Sequence, residues 1–299
     1  MDGIVNVHKT AGPTSHDIVY DVRRIFGQRR VGHAGTLDPM ATGVLVVCLG
    51  KATRIVEYLM GAPKEYVAKM TLGQSTDSED STGTVTSESD ASYVTFEALE
   101  DAARLFVGEI MQVPPMVSAV KHAGQRLYKL ARQGRTVERA PRRVTIYALD
   151  ILNFIPGTLA AVEMRVKCSS GTYIRTLCSD IGDKLGCGGH MSALTRTRVG
   201  DFTLDEAHTV EEVRGILEQG CIDKVVIEPR KALESMPFVE IAESDVERIC
   251  HGMVVQASSG TEGDTVRIIS SDRLIAIGTI ATVDGRNVVK PHKVFEAFD

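Results

Sequence analysis

The chain has 299 residues, 43% of them hydrophobic, and its 34 basic and 39 acidic side chains give a formal net charge of −5. That length suits one large domain with a small companion, or two medium domains, and supplies enough apolar material for a sizeable core. No run of 18 apolar residues occurs, which excludes a membrane-crossing helix. The six cysteines are scattered without a CxxC pair, which argues against a zinc site. The opening MDGIVNVHKTAG lacks the basic start and long apolar run of a secretory leader, so the expectation is a cytoplasmic protein with reduced thiols. An acidic total counts against nucleic acid as a partner, but the distribution of charge carries more information than its sum.

In chain order, residues 4–7 (IVNV) read as a short strand ending in the turn 10–13. Ser15 is a suitable N-cap for a helix to about Phe26, with Ile18, Val22, Ile25 and Phe26 at helical spacing and Asp17 and Asp21 in its first half. Arg23, Arg24, Arg29 and Arg30 follow, as either a solvated face or a phosphate contact. The stretch 29–43, RRVGHAGTLDPMATG, holds three glycines, Pro39 and a single acid, Asp38. Glycines permit backbone angles that a β-carbon forbids, and Pro39 biases Asp38 toward an extended or turn geometry. Two readings stand: a reactive carboxylate on a shaped loop, or an aspartate that merely bonds its own turn.

Residues 44–49 (VLVVCL) predict a buried central strand, and 51–60 a helix that Gly61 can end. Tyr66, Ala68, Met70 and Leu72 alternate, which predicts a half-buried strand on which Tyr66 reads as a core aromatic. Residues 74–101 carry eight acids and no Lys or Arg, a solvated block expected to avoid phosphates. A helix is expected over 95–107, with Leu99, Ala103 and Val107 on one face. From 121 to 143 the sign reverses, with eight bases against Glu138, a local balance of 8 − 1 = +7. This is the clearest sign of a polyanionic partner. Strands over 143–154 and 158–168 meet at Pro156-Gly157. A Gly turn then leads to a helix carrying Ile174, Leu177, Ile181 and Leu185, near whose start Arg175 reads as a surface charge. Thr209 to Glu212 is a capping box for a helix to about 218. From about 235, short apolar runs alternate with Gly, Asp and Ser turns, the texture of a small β-barrel or sandwich.

Several of these segments share a source. GHAGTLDPMATGVL closely resembles the catalytic motif of the bacterial tRNA pseudouridine-55 synthases of the TruB type. KEY with its following Leu-Gly and acidic loop, PPMVSAVKHAGQRLYKLARQG, CSSGTYIRTL, GGHMSALTRTRVGDFTLDEA and the closing KPHKVF resemble further blocks in the same order. HKTAGPTS matches the opening block at Lys9, Gly12 and Ser15 and departs at His8 and Thr10. The resemblance implies an α+β fold with a mixed, largely antiparallel central sheet and flanking helices over 1–234. A small β-rich, PUA-like RNA-binding domain is implied over 235–299. Acids outnumber bases in that tail, so its own RNA affinity should be modest.

The same resemblance implies that Asp38 is the nucleophile, Tyr66 the active-site tyrosine and Arg175 the partner of Asp38. Tyr173 would line the uridine pocket, Leu194 would pack near the flipped base, and His33 would enter the RNA fold. Lys9, Asp80, Lys121, Arg132, Arg142 and Arg143 would complete the substrate contacts. The implied partner is the T-arm stem-loop of tRNA, bound by a monomer without cofactor or metal. The reaction breaks the N–C bond between uracil and ribose and remakes it through carbon 5, so it involves no net redox change. A nearby Arg⁺ is expected to hold the carboxylate down by roughly 1–3 pH units. Extruding the base costs a few kcal/mol, of which one aromatic stack returns about 1–3 kcal/mol. A non-catalytic RNA-binding module would have no need of Asp38, Tyr66 and Arg175 together. A carboxylate glycosidase would need a second acid facing Asp38.

Overall fold

A computed structural model of the protein describes residues 1–295 apart from Ala119, Ala123 and Arg132. A mixed sheet of ten strands runs through residues 1–234. Its main path is Val226–Ile227, Gly3–Lys9, Thr42–Leu49, Gly189–Val199, Lys64–Leu72, Ala160–Cys168, Arg142–Ile155 and Gly108–Gln112. Val31–His33 and Phe202–Thr203 pair off this path. Every pairing on the path is antiparallel except one: Gly189–Val199 runs parallel to Thr42–Leu49, matching Thr195 to Thr42 and Arg196 to Gly43. Two antiparallel halves therefore meet at this junction, and the loop bearing Asp38 runs straight into it.

The unbroken apolar run in Thr42–Leu49 is explained by burial on both faces. Successive side chains of a strand point to opposite sides, and here they enter different cores. Val44 and Val46 join Ile4 and Ile55, while Leu45 and Val47 join Val5, Val7, Val19 and Val22. Gly43 is dictated by the junction, because an added β-carbon would lie 2.1 Å from the Arg196 carbonyl oxygen and φ is +106°. A third core, built from Tyr66, Met70, Met164, Ile174, Leu177 and Leu194, lies under the other half of the sheet.

Three local expectations are corrected. The first helix is Ser15–Ile25, and its cap is Thr14, in a reciprocal capping box with Asp17. Ser15 is buried instead. The segment expected as one helix over 51–60 is a 3₁₀ turn, Gly50–Ile55, followed by a short α-helix, Val56–Gly61. The buried Ala52 and Ile55 are three residues apart, which suits the tighter helix. The third helix, Phe96–Arg104, stops short of Val107, which is exposed; Leu99, Ala102 and Ala103 carry its buried face. The Thr209 to Glu212 capping box forms as the sequence predicts, heading the helix Val210–Glu218.

From residue 238 a five-stranded sheet follows, in the order Phe238–Glu240, Thr265–Ser270, Arg273–Val283, Arg286–Val294 and Val255–Gln256. It has its own core with the helix Glu243–Cys250, centred on Val246, Ile249, Ile268, Ile275 and Ile280. Ile277 also reaches the core of Ile4 and Val44. The last strand touches the first unit through the Lys293–Glu57 ion pair and a His292–Tyr58 hydrogen bond.

Candidate active site

The loop from Ala34 to Ala41 is held from beneath by buried side chains. Lys9, fully buried, donates its Nζ protons to the carbonyls of Thr10 (3.0 Å), Pro39 (3.1 Å) and Ala41 (2.7 Å). Ser15 Oγ donates to the Leu37 carbonyl (3.0 Å) and accepts from the Leu37 amide (2.9 Å). Arg196 is 1% exposed, and its guanidinium donates to the carbonyls of Val44 (2.7 Å), Gly35 (3.0 Å) and Thr36 (3.4 Å). The Asp38 carbonyl itself accepts from the Ala41 amide (3.1 Å). A loop whose carbonyls are engaged in this way presents its side chains in one geometry, as a preorganised site requires. Lys9, expected among the RNA contacts, therefore shapes the loop from inside and is closed to RNA.

Arg175 sits in the first turn of the helix Ile174–Leu185 and is 4% exposed, so it is no surface charge. Its Nε lies 3.2 Å from Asp38 Oδ2, and its Nη1 lies 3.3 Å from Asp80 Oδ2. Nη1 also donates to the Ser78 carbonyl, and Nη2 to the Val117 carbonyl at 2.7 Å. Asp80 is buried and accepts from Ser78 Oγ, Thr82 N and Thr82 Oγ1. It is thus an orienter of Arg175, with no free oxygen to act as the second acid of a glycosidase. Glu79 takes left-handed backbone angles (φ 63°), an uncommon cost for a non-glycine residue, where the turn aims Asp80 inward.

Burial pushes the Asp38 carboxyl above the ordinary aspartate value of 3.8; Arg175 and Lys9 oppose this, and Asp80 adds to it. Arg175 pulls in the lowering direction, as expected, but desolvation is the larger effect. The side chain is 39% exposed, but that exposed face looks into a cleft walled by protein, so its solvation is partial. The ionised carboxylate is the form that can serve as nucleophile or base, so the rate of a reaction that uses it should fall as pH drops through a value above 3.8. Arg175→Gln removes an opposing cation, so the acid limb should move to higher pH. It also leaves buried Asp80 with fewer partners, at a cost of up to roughly 3–5 kcal/mol, so the profile should be recorded well below the variant's melting temperature. An unmoved limb would detach Asp38 from the rate.

Two cavities meet at Asp38. The smaller, about 480 Å³, is lined by Tyr66, Tyr173, Ile174, Arg175, Leu194 and Arg196 among others. Tyr66 and Arg196 are cross-strand partners at the centre of the sheet. Burial pushes the Tyr66 phenol up, while Arg196 beside it pulls back. Gln112 clamps the Tyr173 backbone, donating to its carbonyl (2.9 Å) and accepting from its amide (2.8 Å). The larger cavity, about 790 Å³, is lined by Thr14, His16, Met116, Arg126, Arg135 and Thr136 among others. The basic segment thus contributes Arg126 and Arg135 to the wall of this cavity. Among the described residues no three His, Cys, Asp or Glu side chains are grouped to hold a metal ion.

The remaining sequence candidates divide. His33 is half-buried, packs edge-on against His16 with centroids 5.5 Å apart, and is pushed down by burial toward its neutral form. Arg142 and Arg143 are exposed at the start of Arg142–Ile155, opposite Gln112 and Met111, and Arg143 lies 3.6 Å from exposed Glu109. Arg132 and the Lys121 side chain lie outside the described residues. Sequence reasoning missed Arg196 and the buried role of Ser15. The available signal for Arg196 was an arginine sharing a strand face with Leu194.

A carboxylate backed by a buried arginine and facing a slot with aromatic and aliphatic walls is the arrangement of an enzyme active site. Comparison with known proteins agrees with the motif reading. The profile for "TruB family pseudouridylate synthase (N terminal domain)" matches residues 23–174, and that for "tRNA pseudouridylate synthase B C-terminal domain" matches 175–234. A protein named tRNA pseudouridine synthase B from Heliobacterium modesticaldum is 40% identical over 99% of this chain and 96% of its own length. One of the same name from Geotalea uraniireducens is 47% identical over 85% of this chain and 81% of its own. A chain in a solved Cbf5-Nop10-Gar1 complex superimposes with a TM-score of 0.77 at 34% identity, covering 99% of this chain and 85% of that one. The chain belongs to the TruB family of pseudouridylate synthases.

Proposed function

We propose that the protein converts uridine 55 in the T-arm of tRNA to pseudouridine, with Asp38 as nucleophile and the target base flipped into the smaller cavity. The observation that carries this reading is the Arg175–Asp38 pair, 3.2 Å apart, at the edge of the slot lined by Tyr66 and Leu194. Asp38 engages the nucleotide, the N–C bond to uracil breaks, and the loose base turns between Tyr66 and the Leu194 and Ile174 walls. Carbon 5 then bonds to the ribose and loses its proton. Because burial keeps the Tyr66 phenol protonated, it suits a relay between carbon 5 and an acceptor better than a phenolate base. Arg175 holds the carboxylate charged against its desolvation.

The T-arm lies in the larger cavity, its phosphates met by Arg126 and Arg135 and by the exposed Arg142 and Arg143; Lys121 and Arg132 belong to the same basic stretch of sequence. His33 enters the space that the base vacates. The sheet from about residue 235 is a PUA-like RNA-binding domain, separate from the catalytic domain over 1–234, and the protein works as a cytoplasmic monomer. Supporting that boundary, the hinge before Phe238 is tied by Arg267, which donates to the carbonyls of Met236 and Glu234.

The test is incubation with an unmodified tRNA transcript: one uridine, in the T-arm, should be converted, and conversion elsewhere or none would refute the assignment. Binding should be salt-dependent despite the net charge of −5. Neutralising Arg126, Arg135, Arg142 and Arg143 together should weaken it and flatten log affinity against log salt, by about one in slope for each phosphate that is no longer neutralised. An unchanged slope would mean that this segment does not touch phosphate.

A further inference from the structure

The two cavities share four lining residues: Thr36, Leu37, Asp38 and Ser118. Three of them belong to the Asp38 loop, so among the described residues Ser118 is the one lining residue common to both cavities that comes from another segment. Ser118 is 5% exposed, and its hydroxyl finds no hydrogen-bond partner among the described residues. A buried hydroxyl without a partner is uncommon and costly enough to need an explanation. Other buried polar atoms share that condition (Asn6 Oδ1, Gln28 Nε2, His33 Nδ1 and Arg139 Nε), but none of them lines either cavity. Ser118 is also tied to the chemistry through its neighbour, since the Val117 carbonyl accepts from the guanidinium that pairs with Asp38.

On the reading above, the base occupies the smaller cavity and the phosphates the larger, whose wall carries Arg126 and Arg135. The ribose joining them must then pass where the two cavities meet, at the residues common to both linings, which include Asp38 and Ser118. Next to the reacting sugar carbon, the 2′-hydroxyl both donates and accepts, and it is the group that distinguishes RNA from DNA. A serine hydroxyl can serve it in either direction. We propose that Ser118 Oγ is the hydrogen-bond partner of the target nucleotide's ribose 2′-hydroxyl, so that Ser118 positions the sugar against Asp38 and reads it as RNA. This assignment rests on the uridine-isomerising function proposed above.

The test is a double-mutant cycle across the contact. Dissociation constants are measured for wild type and Ser118→Ala, each with two T-arm stem-loops that differ only in carrying uridine or 2′-deoxyuridine at the target position. A neutral hydrogen bond to a group left buried corresponds to about a 3- to 10-fold effect. Ser118→Ala should weaken the ribose ligand by that factor and leave the deoxyribose ligand unchanged. Its melting temperature should be no lower than that of wild type, since the substitution removes a buried hydroxyl that bonds to none of the described residues. Equal weakening of both ligands, or of neither, would overturn the assignment, as would a substantial drop in melting temperature, which would mark a structural role. Wild type that fails to bind or modify the T-arm at all would instead overturn the function on which the assignment rests.

Discussion

Asp38→Asn should form no detectable pseudouridine while binding tRNA within a few-fold of wild type. The amide is nearly isosteric with the carboxylate, and the loop beneath it does not depend on the side chain: Lys9, Ser15, Gly12 and Arg196 hold backbone atoms. Asparagine can still accept one hydrogen bond from Arg175, so the slot keeps its shape. It loses the negative charge and the nucleophilic oxygen. The electrostatic consequence runs in a defined direction. Arg175 would remain paired with Asp80, and removing the partly desolvated charge of Asp38 should leave the fold as stable as before or slightly more so. An inactive variant with an undiminished melting temperature and retained affinity separates chemistry from structure. Appreciable turnover would remove Asp38 from the nucleophile role.

Tyr66→Phe should lower the single-turnover rate about 10²–10⁴-fold, the usual range for removal of an acid–base group, with near-normal tRNA affinity. The ring supplies the stacking, about 1–3 kcal/mol per base, and phenylalanine keeps the ring. Tyr66 is 8% exposed and packs with Met70, Met164 and Leu194, so the ring should stay where it is. The hydroxyl is the part that can pass a proton from carbon 5. Tyr66→Leu removes both functions and should impair binding and rate together. Turnover of Tyr66→Phe at the wild-type rate would leave Tyr66 as a stacking platform or as packing.

The sequence and the structure agree best where function depends on a contiguous stretch. Gly35, Gly43 and Asp38 fall in one short motif, and their backbone demands can be read from glycine and proline alone. Tyr66 on its alternating strand could be placed, but pattern alone could not tell a core aromatic from a slot wall; it is both, since the slot opens through the core. Arg175 read as a surface charge because helix-start position says nothing of what packs above it. Its burial comes from Asp38, Asp80 and Val117, which lie 58 to 137 positions away in the chain. Arg196 was hidden for a second reason. Register shifts after Met191 and after Arg196 break the two-residue alternation along that strand, and the parallel junction that seats it against Gly43 has no local signature. Lys9 was visible as a motif residue, yet a lone lysine is read as solvent-facing, and only the loop folded over it shows why it is buried. The first helix cap was misplaced by one residue because Thr14 and Ser15 are both good caps, and the demand of Leu37 for a partner draws Ser15 inward.

The most direct measurement follows the hydrogen on carbon 5. Bonding of carbon 5 to the ribose must expel that hydrogen to water, whatever part Asp38 takes in the earlier steps. With tRNA transcribed from uridine tritiated at carbon 5, wild type should release tritium equivalent to one position per tRNA. A transcript with cytidine at position 55 should release none, and Asp38→Asn should release none from either. Tritium release that persists in Asp38→Asn, or that is unaffected by replacing uridine 55, would contradict the assignment of this site to that base.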